Sequence, residues 1–126
     1  MAAALGRLRK RSEFLAVAAT NRRWTSPGVV LQARKLPTDD APPAEPGLRV
    51  GFTATRKVGN AVARNRAKRR LRAAVREVVG HELDASRSPC PADLVLVARQ
   101  STLDRPYDAL KADLITAMGR LGIIRQ

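Results

Sequence analysis

Between Arg56 and Arg76 the chain carries nine Lys/Arg and no Asp or Glu. This acid-free run constrains the fold more than any other feature, because whatever it forms must keep nine cations out of a core. A helix turns about 100° per residue, so with Ala63 at zero Ala67 falls at about 40°, Leu71 at about 80°, Ala74 at about 20°, Val75 at about 120° and Val78 at about 60°. These six make one apolar arc. They predict a helix from near Asn60 to Gly80, with the glycine as its C′ residue. Arg66, Arg69, Arg70, Arg72 and Arg76 fall outside the arc, on the solvent side, whereas Arg64 and Lys68 come at about 100° and about 140°, on or beside it. An unpaired cation in a core is very costly. The first two turns are therefore expected to run past the core, with Arg64 and Lys68 turned to an open groove beside a sheet and packing starting at Leu71.

Many charge runs are only solvated faces, but this one has no acid with which to form i,i+4 pairs, so its cations repel one another without relief. Arginine outnumbers lysine in it, which suits bidentate phosphate contacts and stacking on bases. The wider balance agrees. The 126 residues carry a formal charge of +13, and a small domain this basic is expected to meet a polyanion. Residues 1–76 hold 18 Lys/Arg and 4 Asp/Glu, and residues 77–126 hold 6 and 7, so the excess lies wholly in the first three-fifths. Other classes are excluded on similar grounds. The longest apolar run, Phe14–Ala19, is far short of the roughly 20 residues that span a bilayer, and no signal-like apolar segment follows the first charges, so a cytoplasmic protein is expected. A lone Cys90 cannot form an internal disulfide, and no Cys/His spacing suits zinc. His81, the single histidine, has no carboxylate pair or Ser/His constellation around it in sequence, so no catalytic residue and no metal ligand is assigned.

The length predicts one domain over residues 1–126. Arg7–Arg11 reads as the end of a basic arm covering 1–11. Ser12 reads as the N-cap of a helix over Glu13–Thr20. After Pro27-Gly28, Val29–Leu36 reads as a strand, and residues 37–47, with four prolines, as a mobile loop. Leu48–Thr55 alternates apolar and polar residues as a second strand. Past the basic helix, Asp93–Arg99 reads as a buried strand and Tyr107–Leu121 as a closing helix with Tyr107, Leu110, Leu114, Met118 and Leu121 on its stripe. Aromatics make up only 3% of the chain, so Leu, Val, Ile and Ala must fill the core. The order indicates an α+β sandwich with helices covering a mixed sheet.

Gly51–Arg72, containing Lys57-Val58-Gly59-Asn60-Ala61-Val62 and then Arg64-Asn65-Arg66, closely resembles the signature of the bacterial ribonuclease P protein subunit. The basic arm leading into Ser12-Glu13-Phe14 and the closing strand and helix fit the same family. The resemblance implies a single-domain αβββαβα sandwich, with a mixed sheet of four strands, three helices and a left-handed crossover, related to domains of ribosomal proteins. It implies a monomeric protein that joins one catalytic RNA, the pair removing the 5′ leader of precursor tRNA endonucleolytically. The RNA performs the hydrolysis with Mg2+, which the RNA mainly holds. Carried over by position, the catalytic-RNA contacts are Arg56, Lys57, Asn60, Arg64, Asn65, Arg66, Lys68, Arg69 and Arg72. The leader cleft is lined by Phe14, Ala18, Val30, Gln32 and Thr53, bordered by Arg64 and Lys68. Ala18 and Gln32 depart from the common pattern, standing where many members carry an aromatic that can stack on a base, which leaves Phe14 as the clear stacking candidate.

Two residues carry a plain structural reading beside the functional one: Phe14 as a residue pinning its helix to the sheet, and Asn60 as a helix cap. Two other classes of function compete with the resemblance, a structural RNA-binding protein of the ribosome and a nonspecific DNA-compacting protein. The contiguous signature argues against both.

Overall fold

A computed structural model of the protein describes residues 5–35, 47–82 and 90–124. The elements are β1 (Leu5–Arg7), α1 (Arg11–Ala18), β2 (Arg23–Thr25), β3 (Val29–Lys35), β4 (Leu48–Thr53), α2 (Ala61–Glu77) running into a π-helical turn (Val78–Glu82), β5 (Ala92–Ala98), a 3-10 turn (Gln100–Leu103) and α3 (Tyr107–Arg120). They build a single α+β domain on one mixed sheet of order β1-β4-β5-β3-β2. β1 and β5 run parallel to β4, and β3 runs antiparallel to both β5 and β2. The basic helix α2 is the crossover between the adjacent parallel strands β4 and β5.

The sheet has five strands, one more than the four the resemblance implies and two more than the three read along the chain. The added strands β1 and β2 are three residues each, too short to show alternation, and they form its two outer edges. Part of the expected free arm is therefore a strand: Leu5–Arg7 pairs with Leu48–Val50, and Leu8 is buried. Ser12 does not cap α1, because the helix begins two residues earlier than expected, at Arg11, with Lys10 as N-cap. There the Glu13 carboxylate accepts the backbone N–H groups of Arg9 and Lys10 at 3.0 and 2.8 Å, anchoring the first turn as an N3 glutamate does in a capping box. Gly80 is not a C′ residue: Val78 and Val79 are both buried, and the chain continues through Gly80 in the π-helical turn. Apart from Gly47, the proline-rich loop at 37–47 lies outside the described residues.

Alternation along the strands sorts side chains onto two faces. Leu48 and Val50 of β4, Val29, Leu31 and Ala33 of β3, and Leu94, Leu96 and Ala98 of β5 face α2 and α3 in the main core, with Leu71, Val75, Leu110, Leu114 and Met118. The opposite face carries a smaller cluster in which Leu8, Val17 and Val95 are buried and Phe14 and Val97 pack against them. Cross-strand register arranges this second face in rows. Arg34, Asp93 and Arg49 form one, Gln32, Val95 and Gly51 the next, and Val30, Val97 and Thr53 the third. Thr25 of β2 extends the third row, and Arg23 the second.

Candidate nucleic-acid interface

The approach to α2 is a tight turn closed by Val58 N–H to Thr55 O and Gly59 N–H to Arg56 O, at 3.0 and 3.1 Å. Val58 is buried, which turns Arg56 and Lys57 outward, both exposed. Gly59 has φ +144°, a conformation L side chains rarely adopt. The Asn60 side chain accepts the Ala63 N–H at 2.9 Å, so Asn60 does cap the helix. Arg64 is half-buried and folds back to donate to the Gly59 carbonyl at 3.3 Å.

Along α2, the buried residues Ala67, Leu71, Ala74 and Val75 follow the apolar arc. The cations outside it divide into three groups, where the sequence expects one solvent face. Arg66, Arg69 and Arg76 are exposed, as is Asn65. Arg70, at about 340° and so just short of the arc, is not a solvent residue: its guanidinium donates to the carbonyls of Thr102, Leu103 and Arg105 at 2.6, 2.9 and 2.6 Å, clamping α2 to the 3-10 turn. Arg72, at about 180° and flanking the opposite side, lies over the Phe52 ring, 5.2 Å from its centroid. Lys68 is half-buried on that same flank.

Lys68 and Arg72 line two adjoining hollows. One, of about 410 Å³, runs along α2 with Val62, Asn65 and Arg69. The other, of about 370 Å³, opens past the end of β1, where Arg7, Arg9, Phe14, Gly51 and Phe52 join them. A third hollow, of about 490 Å³, continues from Phe14 and Phe52 to Arg9, Arg11, Leu15 and Thr53.

Phe14 pins its helix to the sheet and also lines the groove. A Cβ on Gly51 would come within 2.5 Å of two ring carbons of Phe14, so the ring rests on bare backbone. Of the other residues assigned to the cleft, Val30, Gln32 and Thr53 all lie half-buried on the same sheet face, Val30 and Thr53 in one row through Val97 and Gln32 in the next. Ala18 is exposed on α1, one turn after Phe14, and lines none of these three hollows. The sequence reading missed Arg7, Arg9, Arg11, Leu15 and Phe52. Leu15 is 54% exposed, too open for a core residue. Phe52 has the position of an inward strand residue, and nothing in its spacing reveals that Arg72 meets it at the sheet's edge.

An ion-pair chain fixes the arm beside this groove. Asp93, 1% exposed, accepts two N–H groups of Arg49 at 2.8 and 2.7 Å, and Arg49 also pairs with Glu13 at 2.7 Å. The backbone N–H of Lys10 first, then that of Arg9, and then the Arg49 charge hold Glu13 below the usual carboxylate value. Arg9 and Arg11 are thus presented from a tied backbone.

Among the described residues no group of three or more His, Cys, Asp or Glu comes together to hold a metal ion, and no helix is long and apolar enough to cross a membrane. Among the described residues no donor set fits a protein-held magnesium site.

Solved ribonuclease P proteins share the architecture. The one from Staphylococcus aureus superposes with TM-score 0.68 over 94% of this chain and 97% of its own, at 20% identity. That from Thermotoga maritima gives 0.64 over 87% and 92%, at 24% identity. In sequence, the ribonuclease P protein component of Paramagnetospirillum magneticum is 46% identical over 126 residues, all of this chain and 90% of the relative. That of Ruegeria pomeroyi is 52% identical over 115 residues, 90% and 84% of the two chains. The family model described as Ribonuclease P matches residues 3–122, and with relatives this similar along nearly its whole length the chain belongs to the ribonuclease P protein family, the protein component of a tRNA-processing ribonuclease.

Proposed function

We propose that the protein binds the catalytic RNA of ribonuclease P through the Arg56-Lys57 turn and the outer face of α2, and the single-stranded 5′ leader of precursor tRNA through the groove between α1, β4 and α2. The observation that carries this reading is that Lys68 and Arg72 line both the hollow along α2 and the groove beside Phe14. Two polyanions held on either side of those two residues are drawn together, and the cations between them lower their mutual repulsion. Arg66, Arg69 and Asn65 face the catalytic RNA. Phe14, Phe52 and Thr53, with Arg9 and Arg11, face the leader, and the Val30–Val97–Thr53 row with Gln32 and Ala18 extends that surface. A leader varies in sequence, so backbone charge and sequence-tolerant stacking are the contacts that suit it. In this reading the RNA cuts the leader endonucleolytically with Mg2+ that it mainly holds, and one protein serves one RNA.

Reconstitution tests the division of labour. The cognate RNA alone is expected to process precursor tRNA poorly at low magnesium and markedly better with the protein added, while the protein alone is inactive. Cleavage by RNA-free protein that survives a nuclease-stripped preparation would refute it.

A further inference from the structure

The far edge of the sheet carries a second aromatic and cationic cluster. Trp24, in the outermost strand β2, is 37% exposed. The Arg120 guanidinium lies 5.3 Å from its ring centroid, and Arg23 and Lys35 are exposed nearby. Part of this cluster has a purely structural use. Arg22 donates to the Leu121 carbonyl at 2.6 Å, and the Lys35 ammonium lies where a Cβ on Gly122 would sit 2.9 Å away, so both serve the C-terminal end of α3, where cations are favoured. Arg23 and Arg120 are left over. Neither meets a carboxylate among the described residues.

The register connects this edge to the groove on the α1 side. Thr53, which lines the hollow with Phe14 and Leu15, lies opposite Val97, then Val30, then Thr25. That row crosses four strands and ends beside Trp24. Arg23 is on the same face, opposite Gln32, whereas Trp24 is opposite Leu31 and so points to the α3 side. A strand following the row reaches Arg23 and turns over a three-residue edge onto the indole. We propose that Trp24, flanked by Arg23 and Arg120, is a distal stacking site for single-stranded RNA, taken up by the part of the 5′ leader that runs beyond the cleft. This rests on the reading of the cleft as the leader surface. Charge selects RNA over a protein partner, since the cluster offers an aromatic plane and cations with no acid. Continuity with the cleft face selects the leader over the catalytic RNA, which in the same reading lies on α2: that helix covers the sheet face to which Trp24 points, but α3 packs between it and the β2 edge.

Trp24 is the single tryptophan of the chain, so its fluorescence in the assembled protein–RNA complex reports the site directly. The complex is titrated with mature tRNA, with precursor carrying a leader that only covers the cleft, and with precursor carrying a longer one. Quenching is expected with the long leader alone. Trp24→Leu is expected to raise the Kd of the long-leader precursor on the order of fivefold, the lower end of one stacked base. It should leave the short-leader precursor and assembly with the catalytic RNA unchanged, and Trp24→Phe should retain most of the affinity. Arg120→Gln, which leaves the edge filled, should weaken the long-leader precursor in the same selective way, and thermal melts of all three variants report folding. Quenching on assembly before tRNA is added would assign the cluster to the catalytic RNA and overturn the proposal. So would equal Kd values for wild type, Trp24→Leu and Arg120→Gln with the long leader. A wild-type complex that does not distinguish precursor from mature tRNA would instead refute the cleft reading itself.

Discussion

Glu13 and Gly51 show how single residues shape the groove. Glu13 accepts two backbone N–H groups and pairs with Arg49, and its carboxyl is held below its ordinary value of 4.5. A carboxyl depressed on folding contributes stability that is present above the unfolded value and lost as pH falls through the folded one. The window therefore lies below 4.5. Glu77, depressed by the Tyr107 hydroxyl and then by Lys111, loses its contribution in the same direction. In urea unfolding from neutral pH downward, Glu13→Gln is expected to be less stable than wild type near pH 7, with the gap closing below pH 4.5. A gap constant with pH would mean that the carboxylate charge does not hold the arm. Gly51 acts by having no side chain. Gly51→Ala must displace the Phe14 ring, and such overpacking costs about 1–3 kcal/mol. Urea unfolding of Gly51→Ala, Phe14→Leu and the double variant should show less than additive losses, since the two residues share one contact.

At the scale of elements, α2 was legible because a 3.6-residue period survives any amount of surface charge. Of the arc, Ala67, Leu71, Ala74, Val75 and Val78 are buried and Ala63 is half-buried, so packing starts at Ala67, one turn before the Leu71 expected. What the angles alone do not specify is which neighbour waits on each flank. Arg70 meets the carbonyls of the 3-10 turn, and Arg72 meets Phe52, because those partners arrive from segments about twenty to thirty-five residues away that only tertiary packing brings close. The consequence is measurable. Arg70→Ala strands three carbonyls and removes hydrogen bonds from a charged donor, so a loss of about 1.5–3 kcal/mol is expected in urea unfolding. Arg66→Ala and Arg69→Ala should stay within about 0.5 kcal/mol of wild type. The short edge strands were illegible for a related reason: three residues carry no period, and β1 exists because Leu8 and Glu13 pin the arm against β4.

For the whole molecule, the charge balance of the sequence already puts the excess positive charge in the first three-fifths of the chain, and the fold gathers much of it on both sides of β4. The sequence assigns Arg72 to the outer face with Arg66 and Arg69, but its place over Phe52 puts it with Lys68 at the junction of the two hollows. Under the proposed function the two sets of cations should then behave differently. Neutralising Arg66 and Arg69 together is expected to raise the Kd for the catalytic RNA and to make its salt dependence shallower, by about 0.7–0.9 in slope for each phosphate left without its cation. Once the complex is assembled, its preference for precursor over mature tRNA should be unchanged. Neutralising Lys68 and Arg72 should weaken assembly and also reduce that preference, because these side chains face both partners. Both pairs are titrated against the catalytic RNA and, as assembled complexes, against precursor and mature tRNA over a salt series, with melting curves confirming folding. If the Lys68 and Arg72 pair alters assembly alone, the leader does not enter the groove between Phe14 and α2, and its path must be sought along the Val30–Val97–Thr53 row without them.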